Sequence, residues 1–296
     1  MADAMRVFDR ALVRRRRDRA AGGVAQVAPI LEAAAERLLD RLDDTLRRFD
    51  RALEIGGRGV VAPLLRARGV GFAVSMDLSA RMAAGAGGVP LAGDEEWLPF
   101  APASFDLIVA NLSLHWVNDL PGALLQIRRA LAPDGLFLAT LPALGTLQPL
   151  REALGQAEAR LRDGISPRVS PFPEIRDGAA LLQRAGFAMP VADRERLDLR
   201  YRSALALLAD LRAAGEGNAV LARDPRIPPR AFFPMALAAL TPGADGTIAA
   251  PLEMLTLTGW APGPNQPKAA PRGSGQVSLA EAFGTVEHKT GDKPGH

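Results

Sequence analysis

Short apolar runs alternate with amphipathic stretches from residue 27 to residue 141 of the chain. Residues 27–49 place apolar side chains at helical spacing, with acids and arginines between them, which predicts an amphipathic helix. Further helical patterns cover residues 60–68 and the segment that starts at Asn118 or Asp119 and stops near Ala132. Four apolar runs predict strands at 52–55, 72–76, 105–110 and 135–141. Strand, turn and helix in repeated order predict parallel βαβ units with right-handed crossovers.

The pattern becomes mainly helical after residue 145, with predicted helices at 146–161, 177–185, 203–214 and 231–240 and strands near 190–199 and 252–258. The fold class predicted is α/β, a doubly wound and mostly parallel sheet. We predict a helical extension over 1–49, an α/β core over 50–145, a C-terminal lobe over 146–260 that completes the sheet and covers the site, and a flexible tail over 261–296.

The composition excludes several kinds of chemistry but says less about the class of protein. The 296 residues are 48% hydrophobic and 23% charged, enough apolar side chain for a real core. There is no cysteine, which excludes disulfides, thiolate nucleophiles and sulfur-ligated metals. Of three histidines, His288 and His296 lie in the predicted tail, which leaves His115 for ordered chemistry. We therefore expect no metal site.

The net charge of +3 comes from 36 basic residues, of which only Lys268, Lys289 and Lys293 are lysine. This arginine bias, with Asp9 and Asp18 interleaved in the dense basic run near the N-terminus, predicts no nucleic-acid partner. No run of apolar residues is long enough to predict membrane insertion. We expect a cytoplasmic protein, with peripheral association at the inner face of the membrane as a further option.

A glycine-rich turn follows the first predicted strand, at Gly56, Gly57 and Gly59. Glycines there let the backbone turn sharply and approach a ligand, and the next helix presents its free N–H groups. Asp77, at the end of the second strand, can accept hydrogen bonds from the ribose hydroxyls of an adenosine cofactor. These residues leave NAD and S-adenosylmethionine equally open.

Two further segments resemble the class I S-adenosylmethionine-dependent methyltransferases: residues 77–82 (DLSARM), and residues 93–100 (GDEEWLPF) ahead of the run that ends at Asn111. The resemblance implies a Rossmann-like methyltransferase fold with seven strands and S-adenosyl-L-methionine as cofactor. It places Asp94 at the adenine amino group. The cofactor-binding residues it implies are Glu54, Gly56, Gly57, Gly59, Asp77, Leu78, Met82, Asp94, Glu95 and Asn111.

A closer resemblance covers roughly residues 6–280. Residues 113–121 (SLHWVNDLP), 165–172 (ISPRVSPF), 210–218 (DLRAAGEGN) and 272–274 (RGS) are similar to bacterial relatives of the mitochondrial complex I assembly factor 5 group. That group implies hydroxylation of an arginine on a respiratory complex I subunit, and hence a protein substrate and partner. The chain also resembles, more distantly, the malonyl-carrier-protein methyltransferases of biotin synthesis.

The glycine turn departs from the family pattern, because Arg58 and Val60 stand where further glycines are usual. Four functions therefore stay open beside a minor NAD-dehydrogenase alternative: a methyltransferase-type enzyme acting on a protein, an arginine hydroxylase and assembly factor for a complex I subunit, a malonyl-carrier-protein methyltransferase, and a non-catalytic assembly chaperone. His115 and Trp116 follow the strand that ends at Asn111, where doubly wound sheets place their ligand crevice. We predict them as the catalytic residues, against the alternative of a hydrogen-bonded histidine beside a core tryptophan.

Overall fold

The computed structural model describes residues 6–162, 164–264, 266, 274 and 277–286. Its strands are β1 (Arg51–Ile55), β2 (Phe72–Asp77), β3 (Val89–Ala92), β4 (Phe105–Asn111), β5 (Leu131–Pro142), β6 (Ala188–Leu197), β7 (Arg200–Tyr201), β8 (Ile248–Ala249) and β9 (Leu252–Trp260). Seven of them form one sheet in the order β3-β2-β1-β4-β5-β9-β6, and β7 pairs with β8. The first five strands of that order run parallel, and β9 is antiparallel to both of its neighbours. The predicted seven-stranded, mostly parallel sheet is confirmed.

The helices are α1 (Arg10–Ala20), α2 (Ala28–Leu39), α3 (Val61–Ala67), α4 (Ala80–Ala84), α5 (Leu120–Ala130), α6 (Gln148–Leu161), α7 (Ile175–Arg184), α8 (Ala204–Ala213), α9 (Phe232–Ala238) and α10 (Leu279–Ala282). Residues 1–264 form one compact unit, and α10 belongs to a second. In the described part of the chain, none of the helices combines the length and apolar character that a membrane crossing needs.

Both faces of the sheet are covered, which explains why its strands lack a two-residue alternation of polarity. On one face Leu53 and Ile108 pack with Leu124 of α5. On the other face Ala52 and Leu107 join a second cluster, to which α2 and α3 also contribute. Burial of these side chains is the main stabilising contribution to the core, at about 25 cal/mol per Å² of apolar surface.

A separate lobe is inserted between β6 and β9, the last two strands of the seven-stranded sheet along the chain. Residues 198–251 carry β7, α8, α9 and β8, and they pack with α6 in a cluster of their own that includes Leu150, Leu207 and Phe232. The lobe leaves the sheet after Leu197 and returns at Leu252, and these two residues are paired neighbours in the β6–β9 register.

Two boundaries differ clearly from the prediction. The helix predicted over 27–49 ends at Leu39, followed by a 3-10 turn over Asp40–Leu42, and Leu46 is fully exposed. Asp43 and Asp44 follow that turn, and aspartate side chains compete for backbone hydrogen bonds and disfavour helix interiors. The strand predicted from residue 135 begins at residue 131 instead, with a register shift against β4.

Strand β3 had no counterpart in the prediction. It contains Pro90, is largely exposed and pairs only with β2, so it carries little of the apolar signal by which buried strands are found. Most of the predicted tail, including Arg272 and Gly273, lies outside the described residues.

Candidate functional site

The carboxyl ends of β1, β2 and β4 meet where the chain reverses direction across the sheet, since β1 lies between β2 and β4. In doubly wound sheets this edge is where ligands bind. Ten residues were predicted to bind cofactor, and the acids and glycines among them converge here. The backbone N–H groups of Gly56 and Gly57 both donate to the carbonyl of Met76, at 2.7 and 3.1 Å, which ties the glycine turn to β2.

The glycine turn is packed closely against its neighbours. Gly56 and Gly59 have positive φ, at 77° and 88°. A Cβ atom at Gly57 would lie 2.7 Å from the Cβ of Ala86 and 3.1 Å from that of Ser75. Glycine is thus required here for conformation and for close approach.

Arg58, the residue that departs from the family pattern, directs its side chain into the site. Its Nη2 donates to the backbone carbonyls of Asn111, at 2.9 Å, and Leu112. Its Nη1 donates to Glu216 at 3.1 Å. Burial lowers the pKa of Arg58, against the raising effect of Glu216. A buried cation therefore occupies the space beside the end of β4.

Asp77 is fully buried and paired with Arg17 of α1. The backbone N–H of Ser79 donates to its other oxygen at 2.7 Å. Burial alone would lower the pKa of Arg17, but the nearby carboxylates of Asp77, Glu95 and Glu216 raise it overall. The acid predicted to hold the cofactor ribose therefore holds an arginine of the same chain.

The acids after β3 are held in the same way. Arg10 of α1 donates to Asp94 at 2.6 Å and to the buried carboxylate of Glu95, and its Nε lies 3.7 Å from Glu96. Burial opposes its charge, but Glu95 and Asp94 together raise the pKa of Arg10. Helix α1 thus supplies one arginine to each group of predicted cofactor acids.

Helix α1 is fixed over this edge by its own flanks. Phe8 packs edge-on against Trp116, with ring centroids 5.3 Å apart. The backbone N–H groups of Val7 and Phe8 both donate to the side chain of Asn118 at 2.8 Å. The N–H of Asp9 donates to the carbonyl of Ala219 at 2.8 Å, which ties α1 to the inserted lobe.

The donor set fits an adenosine cofactor in type and position: carboxylates end adjacent strands, and a glycine turn lies beside them. In the described conformation Asp77, Asp94 and Glu95 hold guanidinium groups, so a cofactor's hydroxyl and amino donors would have to replace those of Arg10 and Arg17.

The other residues predicted to bind the cofactor make contacts within the protein. Glu54 accepts from Ser75 Oγ at 2.6 Å, and burial raises its pKa to about 7. The side chain of Asn111 is held between the carbonyl of Leu31 and the hydroxyl of Thr140, at 2.9 Å each. Met82 is buried in α4, and Leu78 packs against the cluster around Phe8 and Trp116.

His115 and Trp116, the predicted catalytic pair, lie in a 3-10 turn after β4 and share one partner. His115 Nε2 lies 2.7 Å from Glu216 Oε2, and Trp116 Nε1 donates to the same oxygen at 2.8 Å. Burial would raise the pKa of Glu216, but His115, Arg58 and Arg17 together lower it to about 2. Glu216 is therefore an anion at every physiological pH. The assignment of His115 and Trp116 to catalysis stays a prediction.

A cavity of about 440 Å³ opens beside this cluster. Its wall includes Leu112, His115 and Trp116 from the turn after β4, together with side chains of α1, α2, α6 and the inserted lobe. Most of the lining is apolar, in a size range that suits a small ligand or a protein side chain.

Sequence reasoning missed the roles of Arg10, Arg17, Arg58 and Glu216. A signal for the first two exists, because they are seven residues apart and share a helix face with Val13, which is buried. Glu216 lies about a hundred positions from His115 along the chain, and its only local signal is an acid between two glycines. Among the described residues, no three His, Asp or Glu side chains cluster in a way that could hold a metal ion.

A family model described as a methyltransferase domain matches residues 27–190. The match spans β1 to α7, and so includes the glycine turn and all of the predicted cofactor acids. It confirms the predicted methyltransferase-type enzyme and, with it, S-adenosylmethionine as the cofactor.

Two relatives are similar over most of the chain. The arginine hydroxylase NDUFAF5 of Danio rerio, a mitochondrial protein, is 34% identical, with 94% of this chain and 89% of the relative covered. The malonyl-[acyl-carrier protein] O-methyltransferase of Xylella fastidiosa is 34% identical, with coverages of 86% and 89%. The crystal structure of YcgJ from Bacillus subtilis shares the fold, with a TM-score of 0.53 at 19% identity, 77% of this chain and 99% of that one being covered. The chain therefore belongs to the methyltransferase-domain family that includes the arginine hydroxylase NDUFAF5.

Proposed function

We propose that this protein binds S-adenosylmethionine on Asp77, Asp94 and Glu95 and modifies a side chain of a protein substrate in the adjacent cavity. The observation that carries this proposal is the position of the cavity, which reaches the turn after β4. The turn after β4 is joined to the glycine turn through Arg58, which donates to the carbonyls of Asn111 and Leu112. Cofactor acids and substrate space are thus neighbours on one edge of the sheet.

S-adenosylmethionine, when bound, supplies an activated methyl group, so the protein's own contribution is positioning and exclusion of water. Glu216 holds the ring of His115 through Nε2 and the indole of Trp116 through Nε1, which fixes both rings in the wall of the cavity. We propose that these two rings orient the substrate and that α1 covers the cofactor.

Isothermal calorimetry with S-adenosylhomocysteine tests the cofactor assignment. We expect binding by the native chain and at least about tenfold weaker binding by Asp77→Asn and Asp94→Asn, since each loses a charge-assisted hydrogen bond worth roughly 1.5–3 kcal/mol. Asp44→Asn, at an exposed position, is the matched control. Absence of binding at millimolar ligand, or unchanged affinity in both folded variants, would contradict the assignment.

For the substrate, we propose an arginine of a respiratory complex I subunit, because relatives that cover nearly the whole chain are named arginine hydroxylases. Intact-mass analysis of that subunit from a strain lacking this protein checks it. Loss of the mass of one oxygen atom indicates hydroxylation, and loss of one methylene indicates methylation. An unchanged mass contradicts both modifications.

A second candidate function, a non-catalytic assembly chaperone, is favoured by the arginines that occupy the cofactor acids. It predicts that Asp77→Asn and Asp94→Asn, made as folded proteins, still support assembly of the respiratory complex. An enzyme that depends on its cofactor would lose that support in both variants.

A further inference from the structure

Arg16 of α1 lies in the wall of the cavity without a partner. It is partly buried, and its Nη1 atom is buried and has no hydrogen-bond partner. It forms no ion pair with any other residue that the structure describes. A buried charge without a partner is costly, and it is retained where function requires it.

The guanidinium of Arg16 lies against the inserted lobe. A Cβ atom at Gly217 would lie 3.0 Å from both its Cζ and its Nη1, so the group packs directly against the backbone of the inserted lobe. Burial, followed by the positive charge of Arg223, lowers the pKa of Arg16, and Asp9 compensates only in part. Of the charges that act most strongly on Arg16, those of Arg223, Arg19 and Arg15 are positive and that of Asp9 is negative.

The other arginines buried or partly buried in the wall are already neutralised. Arg58 pairs with Glu216 at 3.1 Å, and Arg168 pairs with Glu158 at 2.6 Å. Arg212, which also borders the cavity, is exposed to solvent. Arg16 is thus the cation whose counter-ion is missing, and it lies at the side of the cavity that adjoins α1.

Much of the rest of the wall is suited to an apolar chain. Aliphatic side chains come from α2, α6 and α8, among them Ile30, Leu31, Leu150, Leu154, Leu207 and Leu208. This aliphatic part of the wall provides affinity through burial of apolar surface. A ligand that suits both features carries an apolar chain and one anionic group.

We propose that the cavity also binds an amphipathic carboxylate, in competition with the protein side chain that the proposed function places there, with its alkyl part among these aliphatic side chains and its carboxylate paired with Arg16. Nothing in this proposal depends on the cofactor assignment, because Asp77, Asp94 and Glu95 do not line the cavity. An arginine–carboxylate pair, with two parallel hydrogen bonds, is among the stronger pairings available in a partly desolvated site.

Calorimetric titration with octanoate, and with octanol as the ligand without charge, tests the proposal. We expect octanoate to bind the native chain at least about tenfold more tightly than octanol. Arg16→Gln should weaken octanoate by a similar factor and leave octanol unchanged. Arg15→Gln is the matched control, because Arg15 is the exposed neighbour of Arg16 on α1. Equal binding of acid and alcohol, or unchanged octanoate affinity in Arg16→Gln, would overturn the proposal.

The carboxylate could also belong to the amino-acid part of the cofactor, and a second pair of ligands separates the two sources. S-adenosylhomocysteine carries that carboxylate and 5′-methylthioadenosine lacks it. Arg16→Gln should weaken octanoate without weakening S-adenosylhomocysteine relative to 5′-methylthioadenosine. The reverse result assigns Arg16 to the cofactor and overturns the proposal. If neither nucleoside binds, the cofactor assignment fails while the octanoate titration still decides the cavity.

Discussion

Arg16 and Arg17 are adjacent residues of one helix and have opposite surroundings. Arg17 is fully buried and ion-paired with Asp77 through Nη1, although its Nη2 makes no hydrogen bond, whereas Arg16 reaches a mostly apolar cavity and forms no ion pair with the described residues. Successive helical residues point about 100° apart, so neighbours can serve different sites. The charge of Arg17 is neutralised within the protein, whereas the charge of Arg16 is left for a ligand. The comparison separates a stabilising arginine from a binding arginine within the same basic run.

Removal of Arg17 should have the largest effect on stability. Arg17→Gln leaves Asp77 buried without its charge partner, and we expect the free energy of unfolding to fall by about 3–5 kcal/mol. Denaturant unfolding measures this, with the exposed Arg19→Gln as control. The double variant Arg17→Gln with Asp77→Asn should recover part of the loss. A loss as small as that of the control would remove the contrast with Arg16.

A similar contrast exists between carboxylates, because Asp77 is ion-paired with an arginine, whereas Glu54 forms no ion pair with the described residues and accepts hydrogen bonds from Ser75 and backbone donors, with Arg58 acting on it only through its charge. Burial raises the pKa of Glu54 to about 7. Between its ordinary value near 4.3 and about 7 the folded chain binds a proton that the unfolded chain has lost, so stability falls as pH rises through this window.

Glu54→Gln should abolish that dependence. Relative to the native chain, the variant should gain about 3 kcal/mol of stability between pH 4 and pH 8, which follows from the pKa shift. Urea unfolding at both pH values provides the measurement. Equal pH dependence of the two proteins would show that Glu54 is ionised in the folded state.

The smallest expected effect is at Arg16 itself. Because it has no partner to lose, Arg16→Gln should raise the free energy of unfolding by about 0.5–1 kcal/mol, as is common where binding groups are replaced. Denaturant unfolding beside Arg15→Gln checks the sign. Destabilisation comparable to that of Arg17→Gln would mean that Arg16 has a structural role.

Much of the fold was accessible from sequence because buried strands and amphipathic helices carry periodic patterns. Asp77 was accessible because it ends a predicted strand, and strand ends mark the ligand edge of such sheets, whereas Asp94 was accessible only through the resemblance to the methyltransferases. The pairing of Arg10 and Arg17 with these acids could not be predicted from the sequence, since a run of arginines with interleaved aspartates is typical of a solvated face. Glu216 was missed because its contacts with His115 and Arg58 join distant parts of the chain. Such contacts depend on tertiary packing, which local patterns do not encode.

The inserted lobe has an evolutionary consequence. Residues 198–251 leave and re-enter the sheet at Leu197 and Leu252, which are paired neighbours, so exchange of the whole segment leaves the register of the sheet intact. The acids proposed to bind the cofactor lie outside this segment, whereas a large share of the cavity wall lies within it. One catalytic half can therefore be retained while the lobe diversifies, and relatives with different substrates can arise by changes confined to about fifty residues.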